Sequence, residues 1–163
     1  MIFVTVGTHE QPFNRLLVAM EDLVVRGIIT DRVVIQSGYA TAVAPHCEVT
    51  DFLSNQGMQQ AMQSATTIVC HGGPATFMQA LALGKRSIVV PRQMAFREHV
   101  NNHQLTFARQ VEQQGYPLTV VDDVAELAAI FTAACAVPHQ LPSHTHQFNQ
   151  QLTTAIQRMG VSS

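Results

Sequence analysis

Two stretches hold residue types able to bind an anion: His71-Gly72-Gly73-Pro74-Ala75-Thr76, and the polar run from Arg92 to Gln104 that includes Glu98, His99 and His103. The first lies between an apolar run, Ile68 to Cys70, and a helical pattern that Gly84 ends. Pro74 suits a first helical position, because the N–H it lacks would have had no partner inside the helix. The N–H groups of Gly72, Gly73, Ala75 and Thr76 are then expected to point out of the helix N-terminus, where the macrodipole favours negative charge. A phosphate fits that description, with His71 beside it and the Thr76 hydroxyl as an added donor. Gly73 is expected to allow a close approach that a Cβ would forbid. A glycine turn also serves simple chain reversal, so the downstream residues carry the decision.

A second strand, Ser87 to Val90, makes Ile68 to Pro91 one compact βαβ unit. Arg92 and its loop leave the carboxyl end of that strand, and ligands of open parallel sheets collect outside such ends. Arg92 offers a cation to a phosphate, although a salt-bridge role looks the same in sequence. Ile2 to Val6 reads as another central strand, with Gly7, Thr8, His9 and Glu10 as its exit loop at the same edge. His9 has a pKa range suited to proton transfer or phosphate binding. His99 and His103 stand four apart beside Glu98, but the order EHxxxH is not the HExxH of a zinc site and no third ligand is evident, so no metal is expected. Cys70 adjoins His71, yet neighbouring strand residues point to opposite faces, which makes Cys70 a core residue and not a nucleophile.

The elements that position these residues alternate along the chain. Phe13, Leu16, Leu17, Met20, Leu23 and Val24 follow helical spacing up to Gly27, and Val33 to Gln36 reads as a strand with its exit turn at Ser37-Gly38-Tyr39. A short strand near Glu48 to Asp51 and a helix through Met58, Ala61, Met62 and Ala65 follow. Beyond the central unit come a helix from His99 to Gln114, a strand from Leu118 to Val121, and a helical stripe of Val124, Leu127, Ala128, Phe131 and Cys135. Such alternation with short connections predicts an α/β fold, a Rossmann-like doubly wound parallel sheet over residues 1–136. Residues 137–163 begin with a proline- and histidine-rich loop (His139, His144, His146) and end in a helix marked by Phe148, Leu152, Ala155, Ile156 and Met159, expected to pack on the domain or a partner.

Composition narrows the function. The net charge of −2 and the lack of a Lys/Arg run argue against nucleic-acid binding by phosphate neutralisation. No stretch approaches the ~18 apolar residues of a membrane span and the start lacks a signal-peptide pattern, so a cytoplasmic location is expected. Charged residues make up only 12% of the chain, which suggests a surface partly covered by another molecule. Three cysteines without CxxC spacing read as reduced thiols. The first loop, GTHEQP, lacks GxGxxG, which argues against a nicotinamide cofactor.

The ordered set HGGPATFMQALALGK, VVPR and EHVNNHQLTFA, with the opening VTVGTHEQPFNRLL, resembles the C-terminal domain of glycosyltransferase family 28 over residues 1 to 121. It looks most like the soluble catalytic subunits of two-chain exopolysaccharide and capsule transferases. The resemblance implies the donor-binding half of a GT-B glycosyltransferase. It implies an inverting transfer of a hexose from a UDP-sugar to a polyprenyl-diphosphate-linked saccharide, with no cofactor beyond the donor. A membrane-anchored partner subunit would supply the missing N-terminal half and hold this chain at the inner membrane face; alone, the chain could self-associate through the same surface.

By position in the family pattern, the HGGPAT turn would hold the donor diphosphate, and Glu98, His103 and Gln104 would face its sugar and phosphates. Related domains often carry a glutamate six residues after the second glycine, for the ribose hydroxyls. Here Gln79 stands there, able to accept a hydrogen bond without charge, or simply to be a helix-surface amide. His9 and Glu98 are the candidates for proton chemistry, with the possibility that the base sits on the partner. The rival readings are a non-catalytic regulatory or scaffold subunit and, less suited to so short a chain, a nucleotide-sugar epimerase or hydrolase.

Overall fold

A computed structural model describes residues 1–134. The expected C-terminal loop and helix, and Cys135, lie outside the described residues. Among the described residues six parallel strands form one sheet: β1 (Ile2–Thr5), β2 (Val33–Gln36), β3 (Glu48–Thr50), β4 (Thr67–Cys70), β5 (Arg86–Val89) and β6 (Leu118–Val120). Their spatial order is β3-β2-β1-β4-β5-β6. The chain therefore builds outward from β1 in one direction and then returns to β1's other side with β4. Thr5 is in register with Gln36 on one flank and Cys70 on the other, which places the exit loops of β1, β2 and β4 side by side. A reversal of this kind opens a crevice at the carboxyl edge.

The strands read as apolar runs because both faces are covered. Ile2, Val4, Val69 and Ile88 point to the face packed by α1 (Asn14–Val25) and α5 (Leu127–Ala134). Phe3, Ile68, Cys70 and Val89 point to the other face, packed by α2 (Asn55–Ser64), α3 (Pro74–Ala82) and α4 (His103–Gln113). Phe3, Phe13 and Phe77 are fully enclosed, and truncation of any one to alanine would cost about 3–5 kcal/mol. Phe107 on α4 meets Phe77 on α3 with ring centroids 5.7 Å apart, locking those two helices beside the central turn.

Local chemistry explains most boundaries. The Ser54 side chain accepts from the Gly57 N–H and starts α2; Pro74 occupies the first turn of α3. Gly27 and Gly84 end α1 and α3 with φ values of 68° and 66°, a left-handed shape that costs glycine little. The helix expected from His99 begins four residues later, at His103. The residues before it are held otherwise: Asn102 Oδ1 accepts from the Met94 N–H and Asn101 Oδ1 from the His103 N–H, so the two asparagines stabilise a turn instead of a helix. The stripe from Val124 splits into a single 3-10 turn, Val124–Glu126, started by Asp123, and then α5.

Candidate functional site

The crevice between β1 and β4 is built around one imidazole. The His71 N–H donates to the Thr5 carbonyl, continuing the β1–β4 ladder one residue past the strands. The His71 ring lies between two glycines: a Cβ at Gly7 would stand 2.6 Å from its Nε2, and one at Gly73 would stand 2.3 Å from it. Gly73 has an ordinary φ of −67°, so what requires glycine there is room for His71 and not an unusual backbone shape. Gly7 needs both the space and a φ of 77°. Nδ1 of His71 is enclosed and makes no hydrogen bond. Burial, and after it the positive charge of Arg92, pushes the His71 pKa down to about 4. The ring is neutral at physiological pH, with one N–H and one lone pair to offer.

Beside it, the N-terminus of α3 carries no side-chain cap. The four expected outward amides are reduced in number. The Thr76 N–H donates to the Gly73 carbonyl, and Gly72 is buried, its Cα against α4 so closely that a Cβ would lie 2.8 Å from Gln104 Cβ. The N–H groups of Gly73 and the exposed Ala75 have no partner among the described residues. They face the solvent end of the helix dipole together with the Thr76 side chain.

A pocket of about 200 Å³ opens at this point. Gly7, Thr8, His71 and Thr76 form one wall; Phe52, Leu53, Asn55 and Met58 form the other. Thr5 and Gln36 make its floor, and they are fixed: the Thr5 hydroxyl donates to Gln36 Oε1 at 2.6 Å, while Gln36 Nε2 donates to the Gly7 and Asp51 carbonyls. The wall from Phe52 to Met58 was not among the sequence candidates. Its one signal was position, since it follows the carboxyl end of β3. Gln79 is exposed one helical turn beyond Thr76.

The run from Arg92 to Gln104 divides into a brace and a rim. Arg92 is fully buried and donates to the carbonyls of Val6, Gln11 and Glu98 at 2.8, 2.6 and 3.1 Å, with its guanidinium 4.9 Å from the Phe13 ring. Its cation is turned onto the protein's own backbone, away from any solvent-borne phosphate. Glu98, also buried, takes a two-pronged bond from Arg15, at 2.9 Å on each oxygen, and accepts from the Gln93 N–H. Arg15 lies on α1 and gave no signal in sequence; it further donates to the Pro91 and Asp122 carbonyls. Gln104 Oε1 accepts from the Arg92 N–H at 3.3 Å. Arg92, Glu98 and Gln104 thus tie the exit loops of β1 and β5 together, and Arg15 joins them to the exit of β6 at Asp122.

The rim carries the remaining candidates. His9 and His99 stack, with centroids 4.6 Å apart and planes 21° apart. Burial, then the charges of His9, Arg92 and His103, lowers the His99 pKa. His103 is exposed at the start of α4, and Thr8 is exposed beside the pocket. Among the described residues no three His, Cys, Asp or Glu side chains are placed to hold a metal. The Cys70 thiol is enclosed and pushed up to about 12 by burial, which leaves it protonated and unreactive. No helix of the described residues is long and apolar enough to cross a membrane.

Residues 1–159 match the model of the glycosyltransferase family 28 C-terminal domain. The human UDP-N-acetylglucosamine transferase subunit ALG13 is 27% identical over 124 residues; the match takes in 71% of this chain and 10% of that protein. Among solved structures, the glycosyltransferase of kitacinnamycin aligns with a TM-score of 0.61 and 18% identity over 98% of this chain, and the spinosyn forosaminyltransferase SpnP with 0.57 and 16% over 94%. This chain spans 39% of each of those two, so they establish the fold alone.

Proposed function

The chain belongs to glycosyltransferase family 28, and from that footing we propose that it is the donor-binding subunit of an inverting transferase that moves a hexose from a UDP-sugar to a lipid-diphosphate-linked saccharide. The observation that carries the reading is the uncapped start of α3 beside an unpartnered His71 Nδ1 at the sheet's switch point. The diphosphate lies across the Gly73 and Ala75 N–H groups, with the Thr76 hydroxyl and His71 as further partners. The pocket between Thr76 and the Phe52–Met58 wall receives the nucleoside, and the exposed Gln79, one turn along α3 and outside the pocket lining, is the partner proposed for a ribose hydroxyl. His103, on the rim, faces the sugar.

In the transfer, an acceptor hydroxyl oxygen bonds to the anomeric carbon as the bond from that carbon to the diphosphate breaks. The proton passes to a general base and the leaving UDP keeps the electron pair. The helix terminus stabilises the charge that grows on UDP, and this reading needs no metal. Glu98 is tied to Arg15 and Gln93, which supports placing the base on a second polypeptide. A membrane-anchored partner with the acceptor-binding half, acting in exopolysaccharide assembly, completes the proposal. The subunit wording in the name of the human relative supports a two-chain arrangement. Isothermal titration of the full chain with UDP tests the reading. Saturable binding is expected; no heat at millimolar UDP would overturn it.

A further inference from the structure

The proposed donor site is short of permanent positive charge. Among the described residues no Lys or Arg lines the pocket, Arg92 is enclosed and committed to three carbonyls, Arg15 is matched by Glu98, and Arg97 of the rim loop is exposed and outside the pocket lining. A nucleotide-sugar carries a negative charge on each phosphate. What stands at the rim is a row of imidazoles on three elements: His9 after β1, His71 after β4, and His99 and His103 after β5.

The hydrogen bonds distinguish the two stacked rings. His9 Nε2 faces Gln11 Oε1 at 3.1 Å, an oxygen that accepts a bond, so Nε2 carries hydrogen and a second proton on Nδ1 leaves this contact intact. His99 Nδ1 accepts from the Asn101 N–H at 3.3 Å, a contact that protonating Nδ1 would break. A neutral His99 ring parallel to His9 is then a flat π-surface against which a charged His9 is stabilised.

We propose that His9 is the cation of the donor site, taking up one proton from solvent as the diphosphate binds, with His99 as its neutral stacking platform. The inference rests on the donor reading above. Around the stacked pair, Arg92 is committed to three carbonyls and the Glu98 carboxylate is turned to Arg15, so neither offers free charge to a ligand. Glu10, in the same loop, is exposed. A bound anion favours the charged form of a neighbouring imidazole, so proton uptake accompanies the ligand.

The test is calorimetric titration of the full chain with whichever of UDP-glucose, UDP-galactose or UDP-N-acetylglucosamine binds most tightly, in two buffers of different ionisation enthalpy. These diphosphate diesters keep their charge between about pH 5.5 and 8, so any proton uptake belongs to the protein. The expected result is uptake approaching one proton, and a Kd that weakens by up to about tenfold per pH unit as pH rises. His9→Gln should abolish the uptake and flatten the pH profile; His99→Phe should preserve uptake by keeping the platform. His46→Gln, on a surface histidine paired with Glu21, should change neither. Binding without uptake, or uptake that survives in His9→Gln, overturns the inference and leaves the donor reading standing. Failure of all three sugars to bind the unaltered chain overturns both.

Discussion

The corner around Arg92 and the crevice around His71 are both polar clusters at the carboxyl edge, and they are opposite in kind. In the corner most polar groups are matched inside the protein, Arg92 to three carbonyls, Arg15 to Glu98 and two more carbonyls, Gln93 and Gln104 to their neighbours, and only Arg92 Nε and Asp122 Oδ1 are buried without a partner. In the crevice an imidazole nitrogen has no partner, two amides of α3 face outward, and a pocket opens beside them. Charge in a loop therefore marks a scaffold as readily as a ligand site. Unmet hydrogen-bonding capacity points to a missing partner where, as beside α3, outward amides and an open pocket accompany it.

The sharpest contrast is in stability. Arg92→Ala leaves two buried carbonyls and one half-buried carbonyl unmet and upsets the balance at Glu98, and should cost about 3–5 kcal/mol. His71→Ala removes a ring whose Nδ1 had no partner, and should cost only about 1–2 kcal/mol while weakening UDP binding more than tenfold. Urea unfolding and calorimetry on both variants would show the split. The comparison breaks if His71→Ala proves the more destabilising of the two.

An acid limb should trace to the crevice. His71 titrates at about 4 in the folded chain against an ordinary 6.5, so between those values the unfolded chain binds a proton that the folded chain refuses. Stability rises with pH across that window, is complete above about 6.5, and is lost toward 4, by at most about 3 kcal/mol. His71→Gln should flatten this limb in urea titrations run at successive pH values. An unchanged limb would mean that another group carries it.

Smaller effects separate space from backbone shape. Gly73→Ala brings a Cβ onto His71 and should weaken UDP binding at least tenfold, about 1.4 kcal/mol. Gly84→Ala meets nothing within 4 Å but has a φ of 66°, and should cost about 1 kcal/mol of stability with binding unchanged. Gln79→Ala, on an exposed amide, is expected to weaken binding only a few-fold, about 0.5–1 kcal/mol. Equal binding losses in all three would erase the distinction.

The strands were legible in the sequence because a sheet covered on both faces needs continuous apolar runs, and Ile2–Thr5, Val33–Gln36 and Thr67–Cys70 have them. The turn at His71 was legible through its glycines and Pro74, but its reason was not. A glycine that makes room for a side chain and one that makes room for a ligand are the same letter. Arg92 and Glu98 were visible as charges, yet their partners lie on β1's exit loop and on α1, up to 86 residues away, where local pattern says nothing. The start of α4 was misplaced because apolar spacing does not register the competing bonds of Asn101 and Asn102. The Phe52–Met58 wall lacks any chemical signature and exists as a wall only once β3 stands beside β2.

The central claim is that the start of α3 and His71 grip the diphosphate of a nucleotide-sugar. Amide and imidazole NMR of the full chain, titrated with UDP, tests it most directly. The account predicts that the Gly73, Ala75 and Thr76 amides and the His71 ring shift together along one saturation curve. Signals that stay still at millimolar UDP, or move only at residues distant from the β1–β4 crevice, would contradict it.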